Sequence, residues 1–407
     1  MRYLLLIILA TALACSGCSD DSGGGAGDTD TDADTDGDTD SDSDTDSDSD
    51  SDTDTDTDTD TGTNFCDSAS GLTNPAAGLT GHTEVAQWKY DRGAALSINF
   101  DDSTPGQALL GIPTMISHGL TGTWFINPGV SSYTPQEAVW ETQAPQNDQE
   151  LANHSMDHAG ATDYSDADYQ IGATAQIIWD AYPPQRSPLM AFNNGGGTTW
   201  NVTATEYEQL LDTYHCIERL YSTGIYPGTL ATTMSDQITS HFTTGPWAGS
   251  WGNIHFHGIC DPADTVNCVC DVEGQSSNCR EYGGGVNNGA VSLTQFNLFL
   301  DFLTTDTFFA NDVWIDGFIA VHKYGESRDA ATSELYSEEE DELLLCLSSS
   351  LDPDLYDDPI TLMTEVPSSW TDCEAAQGGE TLECRLEGGV AFYEARPDRG
   401  DIYLTPQ

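Results

Sequence analysis

Basic residues are scarce in this 407-residue chain, which has 11 Lys and Arg against 68 Asp and Glu and a formal net charge of −57. Proteins that bind nucleic acid or anionic lipid surfaces need clusters of basic side chains, so the composition argues against either partner. Long apolar runs are scarce too. Beyond residue 18 no stretch reaches the ~18 apolar residues that a membrane-spanning helix needs. We therefore expect contact with a membrane only at the N-terminus.

The first 18 residues predict export. Arg2 precedes the apolar run 3–13, which is too short to span a bilayer, and small residues follow around Cys15 and Cys18. This pattern is typical of a bacterial lipoprotein signal, with the lipid on either cysteine. An ordinary secretory signal is the alternative. We expect a protein of the bacterial cell envelope, lipid-anchored at the outer membrane or cell surface.

Residues 19–63 predict a disordered stalk. Every charged residue in 20–60 is Asp, and Asp alternates with Thr or Ser from residue 28 to residue 60. Such a segment has too little apolar surface to offset the entropy of ordering, and its like charges extend it. Calcium binding is the weaker interpretation, because the repeat lacks the Gly and the terminal Glu of a calcium loop.

Cysteine usage also favours an oxidising compartment. Nine Cys follow Cys18, so disulfides are expected, with at least one Cys left free or paired elsewhere. Cys373 and Cys384 flank a Gly-Gly turn and predict a disulfide across a hairpin. Zinc is the alternative for the four Cys between 260 and 279, but their spacing and the exported context favour disulfides.

From residue 64 onward, apolar strands alternate with helical stretches, which predicts an α/β fold with parallel strands over 64–335. Short apolar runs punctuated by Pro, Gly and Asp predict a small antiparallel β domain over 336–407. The predicted barrel strands are 95–100, 121–127, 189–192 and 253–257. The predicted helices are 104–118 and 292–304, with capping boxes at 134–137 and 203–206.

Three polar clusters follow predicted strands, where active-site groups of α/β folds concentrate. Asp101 and Asp102 end the first strand. His154 and His158 are four residues apart, and in a helix they would share one face. His255 and His257 alternate on a strand and point to one side, with His257 nearest the strand end. Two imidazoles and one carboxylate with an open position are the pattern of catalytic zinc.

In this order the segments SINFDD, NHSMDH and FHGI resemble the polysaccharide deacetylase (NodB-homology) family of metal-dependent carbohydrate esterases, over about residues 90–330. The resemblance implies a distorted (β/α) barrel. It also implies that Asp101 is the general base and that His257 protonates the leaving group. Asp102, His154 and His158 would hold a divalent metal, for which Zn²⁺ suits the ligands best.

One motif departs from that family. Its third motif carries an Arg that orients the base, whereas this region reads FNNGGG, with Asn193 and Asn194 and no Arg. Arg186 upstream and Arg219 downstream are the candidates to replace it. Trp247 and Trp251 could line a sugar site or pack in the core.

We therefore expect an exported, monomeric hydrolase that removes N-acetyl groups, or O-acetyl groups with the same machinery, from a polysaccharide or oligosaccharide. The altered third motif favours one alternative, a catalytically impaired carbohydrate-binding protein of the cell surface. Retention of Asp101 and His257 argues against that alternative, because binding alone needs neither. A calcium-stabilised adhesin on a stalk is a weaker third interpretation.

Overall fold

The computed structural model describes residues 82–195, 198–219, 230–264, 268–270, 279–281 and 290–407. The predicted signal (1–18) and stalk (19–63) lie outside the described residues. The described residues all fall in one compact unit, Asp60–Gln407. Within this part of the chain, none of the helices combines the length and the apolarity needed to cross a bilayer.

Strands outnumber helices in the fold. The strands are β1 (Thr83–Val85), β2 (Ala94–Asp101), β3 (Thr123–Ile126), β4 (Glu150–Asn153), β5 (Gly160–Ala161), β6 (Met190–Phe192), β7 (Thr199–Trp200), β8 (Cys216–Glu218), β9 (Trp251–Phe256), β10 (Ile259–Cys260), β11 (Cys268–Cys270), β12 (Cys279–Glu281), β13 (Val291–Ser292), β14 (Val313–Ile315), β15 (Ala331–Glu339), β16 (Glu342–Ser349), β17 (Ile360–Glu365), β18 (Glu374–Gln377), β19 (Glu380–Leu382), β20 (Cys384–Glu387), β21 (Val390–Ala395) and β22 (Ile402–Thr405). The α-helices are α1 (Ile112–Ser117), α2 (Ala144–Gln146), α3 (Tyr164–Ala181), α4 (Ala204–Thr213), α5 (Ala231–Thr243), α6 (Leu293–Thr305), α7 (Thr307–Asp312) and α8 (Phe318–Ala330). Short 3₁₀ or π turns cover Lys89–Asp91, Gln107–Gly111, Thr134–Gln136 and Val139–Gln143.

A seven-stranded parallel sheet carries the barrel. Its strand order is β14-β2-β3-β4-β6-β8, and β9 pairs with β2. All of these pairings are parallel, as the alternation of strands and helices predicted. Among the described residues no ladder joins β8 to β9, so the described strands form an open barrel. The expected α/β fold class is confirmed.

Two cores lie on opposite faces of this sheet. The larger one includes Phe100, Trp124, Phe256 and Phe296, which bury between the strands and the surrounding helices. A smaller cluster around Phe125 lies on the other face. The four α6 side chains that the helical period placed on one face, 296, 299, 300 and 303, are all buried.

Local sequence signals set several helix starts. The capping box predicted at 203–206 is present, with Thr203 accepting from the Glu206 N–H and Glu206 accepting from the Thr203 N–H. The capping box predicted at 134–137 is wrong. That segment forms a short 3₁₀ turn with Pro135 in its first positions and no side-chain cap. Thr134 lies inside this turn, and Tyr133 takes the N-cap position that Thr134 would need in a capping box.

The C-terminal part is antiparallel, as expected. One sheet has the order β15-β16-β22-β18-β19 and the other β1-β17-β21-β20, so β1 from the N-terminal side joins it. The position 335/336, where we expected the domain boundary, falls inside β15. A shared core joins Trp88, Ala95 and Tyr324 to Leu345 and Leu362, which ties these sheets to the barrel.

The one disulfide pair that the sequence predicted is present, together with a pair that the sequence left open. Cys373 and Cys384 are bridged across the β18–β19 hairpin, and Cys260 is bridged to Cys268. The disulfide interpretation of the Cys-rich segment thus holds for this pair, against zinc. Cys216 is the free cysteine among the described residues.

Candidate metal and catalytic site

The first cluster lies where β2 ends. Asp101 is the last residue of β2, and Asp102 and Ser103 follow with φ of +83° and +48°. These left-handed conformations are costly for non-glycine residues and occur at functional sites. The Ser103 hydroxyl accepts the Asn127 N–H at 2.7 Å, which helps to hold the turn. The chain therefore reverses direction sharply at the paired carboxylates.

The second cluster follows β4 in a loop, so the helical interpretation of residues 154–158 is wrong. Ser155 and His158 have φ of +65° and +59°. The Asn153 side chain accepts the Ser155 N–H at 3.0 Å, and the Ser155 hydroxyl accepts the His158 N–H at 3.2 Å. Short polar side chains that bond the backbone two or three residues on favour such turns over helix. Both imidazoles still face the same point.

Asp102, His154 and His158 converge. Asp102 Oδ1 lies 3.4 Å from His154 Nε2 and 3.5 Å from His158 Nε2, and the three ligand atoms lie within 4.8 Å of one another. Zinc ligands at about 2.1 Å in a tetrahedron are about 3.4 Å apart. The two separations therefore match the edge of a zinc coordination tetrahedron.

The environment of these ligands also suits a divalent metal. His154 Nδ1 donates to the Asn193 carbonyl at 2.8 Å, so its Nε2 keeps a lone pair for a metal. His154 is buried, whereas the side chains of Asp102 and His158 are 30% and 33% exposed. One side of the group is thus open to water or substrate. Gly195 packs so closely on the His158 ring that a Cβ there would lie 2.8 Å from Nε2.

Asp101 forms a buried ion pair with Arg219. Arg219 follows β8, and its two terminal nitrogens donate to the two oxygens of Asp101 at 2.8 and 2.6 Å. The guanidinium also lies 4.0 Å from the centroid of the Phe125 ring. Of the two arginines that the sequence left open, Arg219 therefore contacts Asp101. Arg186 stacks on Tyr182 instead.

The third cluster, His255 and His257, lies at the end of β9 beside the other two clusters. His255 lies on β9 and His257 just beyond its end, with ring centroids 5.3 Å apart on one side, as the alternation predicted. His257 Nε2 lies 3.9 Å from Asp102 Oδ2. The ligand atoms of Asp101, His255 and His257 lie within 4.8 Å of one another. This second group suits a metal poorly, because the cation of Arg219 already occupies both oxygens of Asp101.

Charge and burial shift several pKa values here. Burial opposes ionisation of Asp101, but the charge of Arg219, its hydrogen bonds and the nearby His154 outweigh burial and hold the pKa well below its usual range. Burial likewise opposes ionisation of Asp102, and the hydrogen bond and charge of His154 lower its pKa. Burial, followed by the neighbouring His154, lowers the pKa of His158. The carboxylates are thus ionised at neutral pH, as a base and a ligand require.

The segment that departs from the family motif links two of these groups. The Asn193 carbonyl orients His154, and the Asn193 side chain donates to the Arg219 carbonyl at 3.2 Å. The Arg219 N–H in turn donates to the Phe192 carbonyl at 2.7 Å. Asn193 therefore connects the β4 loop to the end of β8.

Trp247 and Trp251 serve the core. Trp247 is buried against Phe242, and Trp251 packs on Phe318 while its indole N–H donates to Ser97. Sequence reasoning gave no role to one further residue, Gln107, although Thr104 and Gln107 have the spacing of a capping box. The Gln107 side chain bridges the ends of β2 and β9.

Comparison with known proteins gives remote similarities. No protein-family model matches the chain. A gellan lyase from a Bacillus species is 22% identical over an alignment of 353 positions, which covers 80% of this chain and 13% of that protein. The chain thus spans about an eighth of the length of this curated relative.

Three solved structures illustrate the structural similarity. The peptidoglycan deacetylase PdaC from Bacillus subtilis is 14% identical with a TM-score of 0.36, over 60% of this chain and 96% of that one. A family 4 carbohydrate esterase from Streptomyces lividans is 15% identical with a TM-score of 0.36, over 57% and 95%. The BA3943 pseudoenzyme of the CE4 family from Bacillus anthracis is 13% identical with a TM-score of 0.29, over 40% and 54%.

Proposed function

We propose that the protein is a metal-dependent deacetylase that hydrolyses N-acetyl groups on a polysaccharide or oligosaccharide. One observation carries the proposal. The ligand triangle of Asp102, His154 and His158 lies beside an ionised, oriented carboxylate and a partly exposed imidazole. This combination holds a cation, takes a proton and returns a proton, which are the three tasks of metal-assisted amide hydrolysis.

Each residue has a separate task in this reaction. Asp102, His154 and His158 would hold the ion, and Zn²⁺ suits a set of two imidazoles and one carboxylate. When bound, the ion would polarise the acetyl carbonyl and lower the pKa of a water. Asp101 accepts the proton of that water as it attacks the carbonyl carbon. Arg219 keeps the Asp101 carboxylate ionised and fixes its direction.

His257 favours an amide over an ester as the substrate. An amine is a poor leaving group unless it is protonated, so cleavage of the carbon–nitrogen bond needs a proton donor beside it. An alkoxide leaves with less help. His257 Nε2 lies 3.9 Å from the carboxylate that would hold the ion, and its side chain is 38% exposed. It can therefore reach a sugar nitrogen that enters from solvent, and O-acetyl esters would be secondary substrates.

The pairing of Arg219 with Asp101 supports turnover over a binding-only protein. The argument for the binding-only alternative was the missing arginine of the third motif. Arg219, which follows β8, the strand next to β6, donates two hydrogen bonds to the Asp101 carboxylate. A protein that only binds a glycan would not need to bury this ion pair.

Acetate release tests the proposal. Wild type is incubated with chitooligosaccharides, peptidoglycan and acetylated xylan, with and without a chelator, and bound metal is counted per chain. We expect chelator-sensitive release, fastest on the N-acetylated substrates, and one divalent ion per chain. Asp101→Asn keeps the shape of the side chain but removes the base, so the rate should fall at least about 100-fold with metal content unchanged.

Asp157→Asn is the matched control, because Asp157 is an exposed carboxylate in the same loop as His154. It should leave both rate and metal content near wild type. The deacetylase proposal fails if wild type and Asp101→Asn release acetate equally slowly on every substrate. Glycan binding without turnover would then point to the binding-only alternative.

We also propose that the chain is exported and anchored by a lipid at Cys15 or Cys18, with residues 19–63 as a stalk at the bacterial cell surface. Disulfides within the described residues, such as Cys260–Cys268 and Cys373–Cys384, support an oxidising compartment. Labelling with radioactive palmitate in a bacterial host should give a lipidated protein. Either Cys15→Ser or Cys18→Ser should abolish the label, and labelling that survives both single changes would refute one defined lipidation site.

A further inference from the structure

We infer that Gln107 is a positioning residue that sets the distance between the proposed base and the proposed acid. This inference rests on the proposed function of Asp101 and His257. The buried Gln107 side chain is 1% exposed. Its amide nitrogen donates to the backbone carbonyls of both residues. One amide group therefore joins the two chain segments from which the base and the acid project.

The backbone ladder does not make this connection itself. The parallel pairing of β2 with β9 ends at Phe100 opposite Phe256. Asp101 lies one residue beyond that pair and His257 lies one residue beyond its partner, where strands can separate. An NH₂ group has two hydrogens, and here each one has a carbonyl acceptor. The Gln107 side chain thus extends the connection between the strands by one step, to the residues that carry the chemistry.

A capping box fixes the orientation of the amide. The Gln107 N–H donates to the Thr104 hydroxyl at 3.4 Å, and the Thr104 N–H donates to Gln107 Oε1 at 3.3 Å. Because the amide oxygen is held by an N–H, the nitrogen must face the two carbonyls. The geometry does not allow the flipped amide, which would set oxygen against oxygen. The Gln107 side chain therefore has two functions: its oxygen accepts the Thr104 N–H, and its nitrogen donates to the two carbonyls. A Glu side chain could supply only the first.

This difference gives a sharp variant. Gln107→Glu keeps an oxygen acceptor for the Thr104 N–H, as in most capping boxes, but removes the NH₂ donors. Gln107→Leu removes both functions. If Gln107 only completed the capping box with Thr104, Glu would restore the wild-type properties. If it positions the two strand ends, Glu would fail almost as badly as Leu.

The chain offers a matched control in Gln149, which is also buried, at 2% exposure. Its amide nitrogen donates to two carbonyls, those of Leu120 and Asn147, and its oxygen accepts from Gly122 and Trp124. Gln149 precedes β4 and so lies at the opposite, amino end of the parallel strands. Gln149→Glu and Gln149→Leu should cost similar stability without moving the reacting groups.

The experiment measures four quantities for all four variants: kcat, KM, metal affinity and the melting temperature. A displacement of ~1 Å between reacting groups can cost on the order of 100-fold in rate. We therefore expect kcat to fall about 100-fold in Gln107→Glu, with KM and metal affinity within about threefold of wild type. The Gln149 variants should melt at similarly lowered temperatures and keep kcat. The inference would be overturned if the Gln107 variants and the Gln149 variants lost kcat equally, or if Gln107→Glu kept the wild-type kcat.

Crystal structures of Gln107→Leu and Gln149→Leu would test this inference independently of the proposed function. In wild type His257 Nε2 lies 3.9 Å from Asp102 Oδ2. We expect the segments of Asp101 and His257 to move apart in Gln107→Leu only. That result would support the inference even if wild type released no acetate. Unchanged strand ends in Gln107→Leu would refute it whatever the activity of wild type.

Discussion

The buried pair of Arg219 and Asp101 makes a quantitative prediction for Arg219→Met. Both side chains are almost fully buried, at 5% and 6% exposure, and two hydrogen bonds join them. Removal of one partner from such a pair leaves an uncompensated buried charge and costs about 3–5 kcal/mol. Methionine keeps the length of the side chain and its contact with Phe125, so lost packing adds little. We expect a fall of about 3–5 kcal/mol in the free energy of unfolding.

A double-mutant cycle isolates the charge effect. In Arg219→Met combined with Asp101→Asn, neither position of the pair carries a charge. The double variant should therefore be more stable than Arg219→Met by about 2 kcal/mol or more, although it carries one more substitution. Additive costs for the two substitutions would refute the interpretation of the pair as charge compensation.

Urea denaturation of the oxidised protein, followed by tryptophan fluorescence, measures these free energies. Arg219→Lys is the informative third variant, because lysine keeps the charge but not the planar fork. It should recover most of the stability but not the activity, since one ammonium cannot fix both carboxylate oxygens. Full activity in Arg219→Lys would mean that charge alone, and not orientation, is what Asp101 needs.

Two further predictions concern residues away from the site. Burial lowers the pKa of His322 from 6.5 to about 4. Between these pH values the unfolded state binds a proton that the folded state does not. The free energy of unfolding should therefore fall by up to ~3 kcal/mol as the pH drops from about 6.5 to about 4. His322→Gln should remove that slope in urea titrations at pH 4.5 and 7.5, and an unchanged slope would assign it to another group. The Cys373–Cys384 disulfide closes a short loop, so its replacement by two alanines should cost roughly 2–3 kcal/mol. Acetate release in native buffer should stay at the wild-type rate, and a large loss would mean that this hairpin contributes to the site.

Four of the seven barrel strands, β2, β3, β6 and β9, were predictable from the sequence because each is a short apolar run that ends in polar residues. The sequence analysis did not predict β4, β8 or β14. Burial of every residue of β2 up to Asp101 is what such a run predicts for a parallel strand. The convergence of Asp102, His154 and His158 follows from one rule, that the carboxyl ends of parallel strands meet at one edge. Their geometry therefore did not depend on the wrong helical interpretation of residues 154–158.

Contacts between a side chain and backbone groups distant in the sequence could not be predicted in the same way. The sequence predicts a helix that begins at residue 104, where Thr104 and Gln107 form a capping box, but not the two carbonyls that the Gln107 nitrogen reaches. Those carbonyls lie six and 150 residues away. The helical interpretation of residues 154–158, after β4, was wrong for a related reason. Hydrogen bonds from Asn153 and Ser155 to the local backbone outweigh the helical spacing of the two histidines.

The position of Arg219 shows that an arginine absent from one segment can be supplied by the end of a neighbouring strand. β6 and β8 are parallel neighbours, with Phe192 opposite Glu218, so residue 193 and residue 219 leave the sheet side by side. A guanidinium from either position can extend along the same face of the barrel toward Asp101, and here it crosses the Phe125 ring to do so. What the proposed base, Asp101, requires is a fork of two donors at its oxygens, which is a condition on space and not on sequence order. Asn193 is then free to donate to the Arg219 carbonyl, so the residue that stands in the altered motif supports the arginine that replaces it. Asn193→Ala should accordingly weaken Asp101 orientation through Arg219, with a smaller loss of kcat than Arg219→Met. If Asn193→Ala proved as damaging as Arg219→Met while metal content stayed unchanged, Asn193 would have to act on the substrate directly.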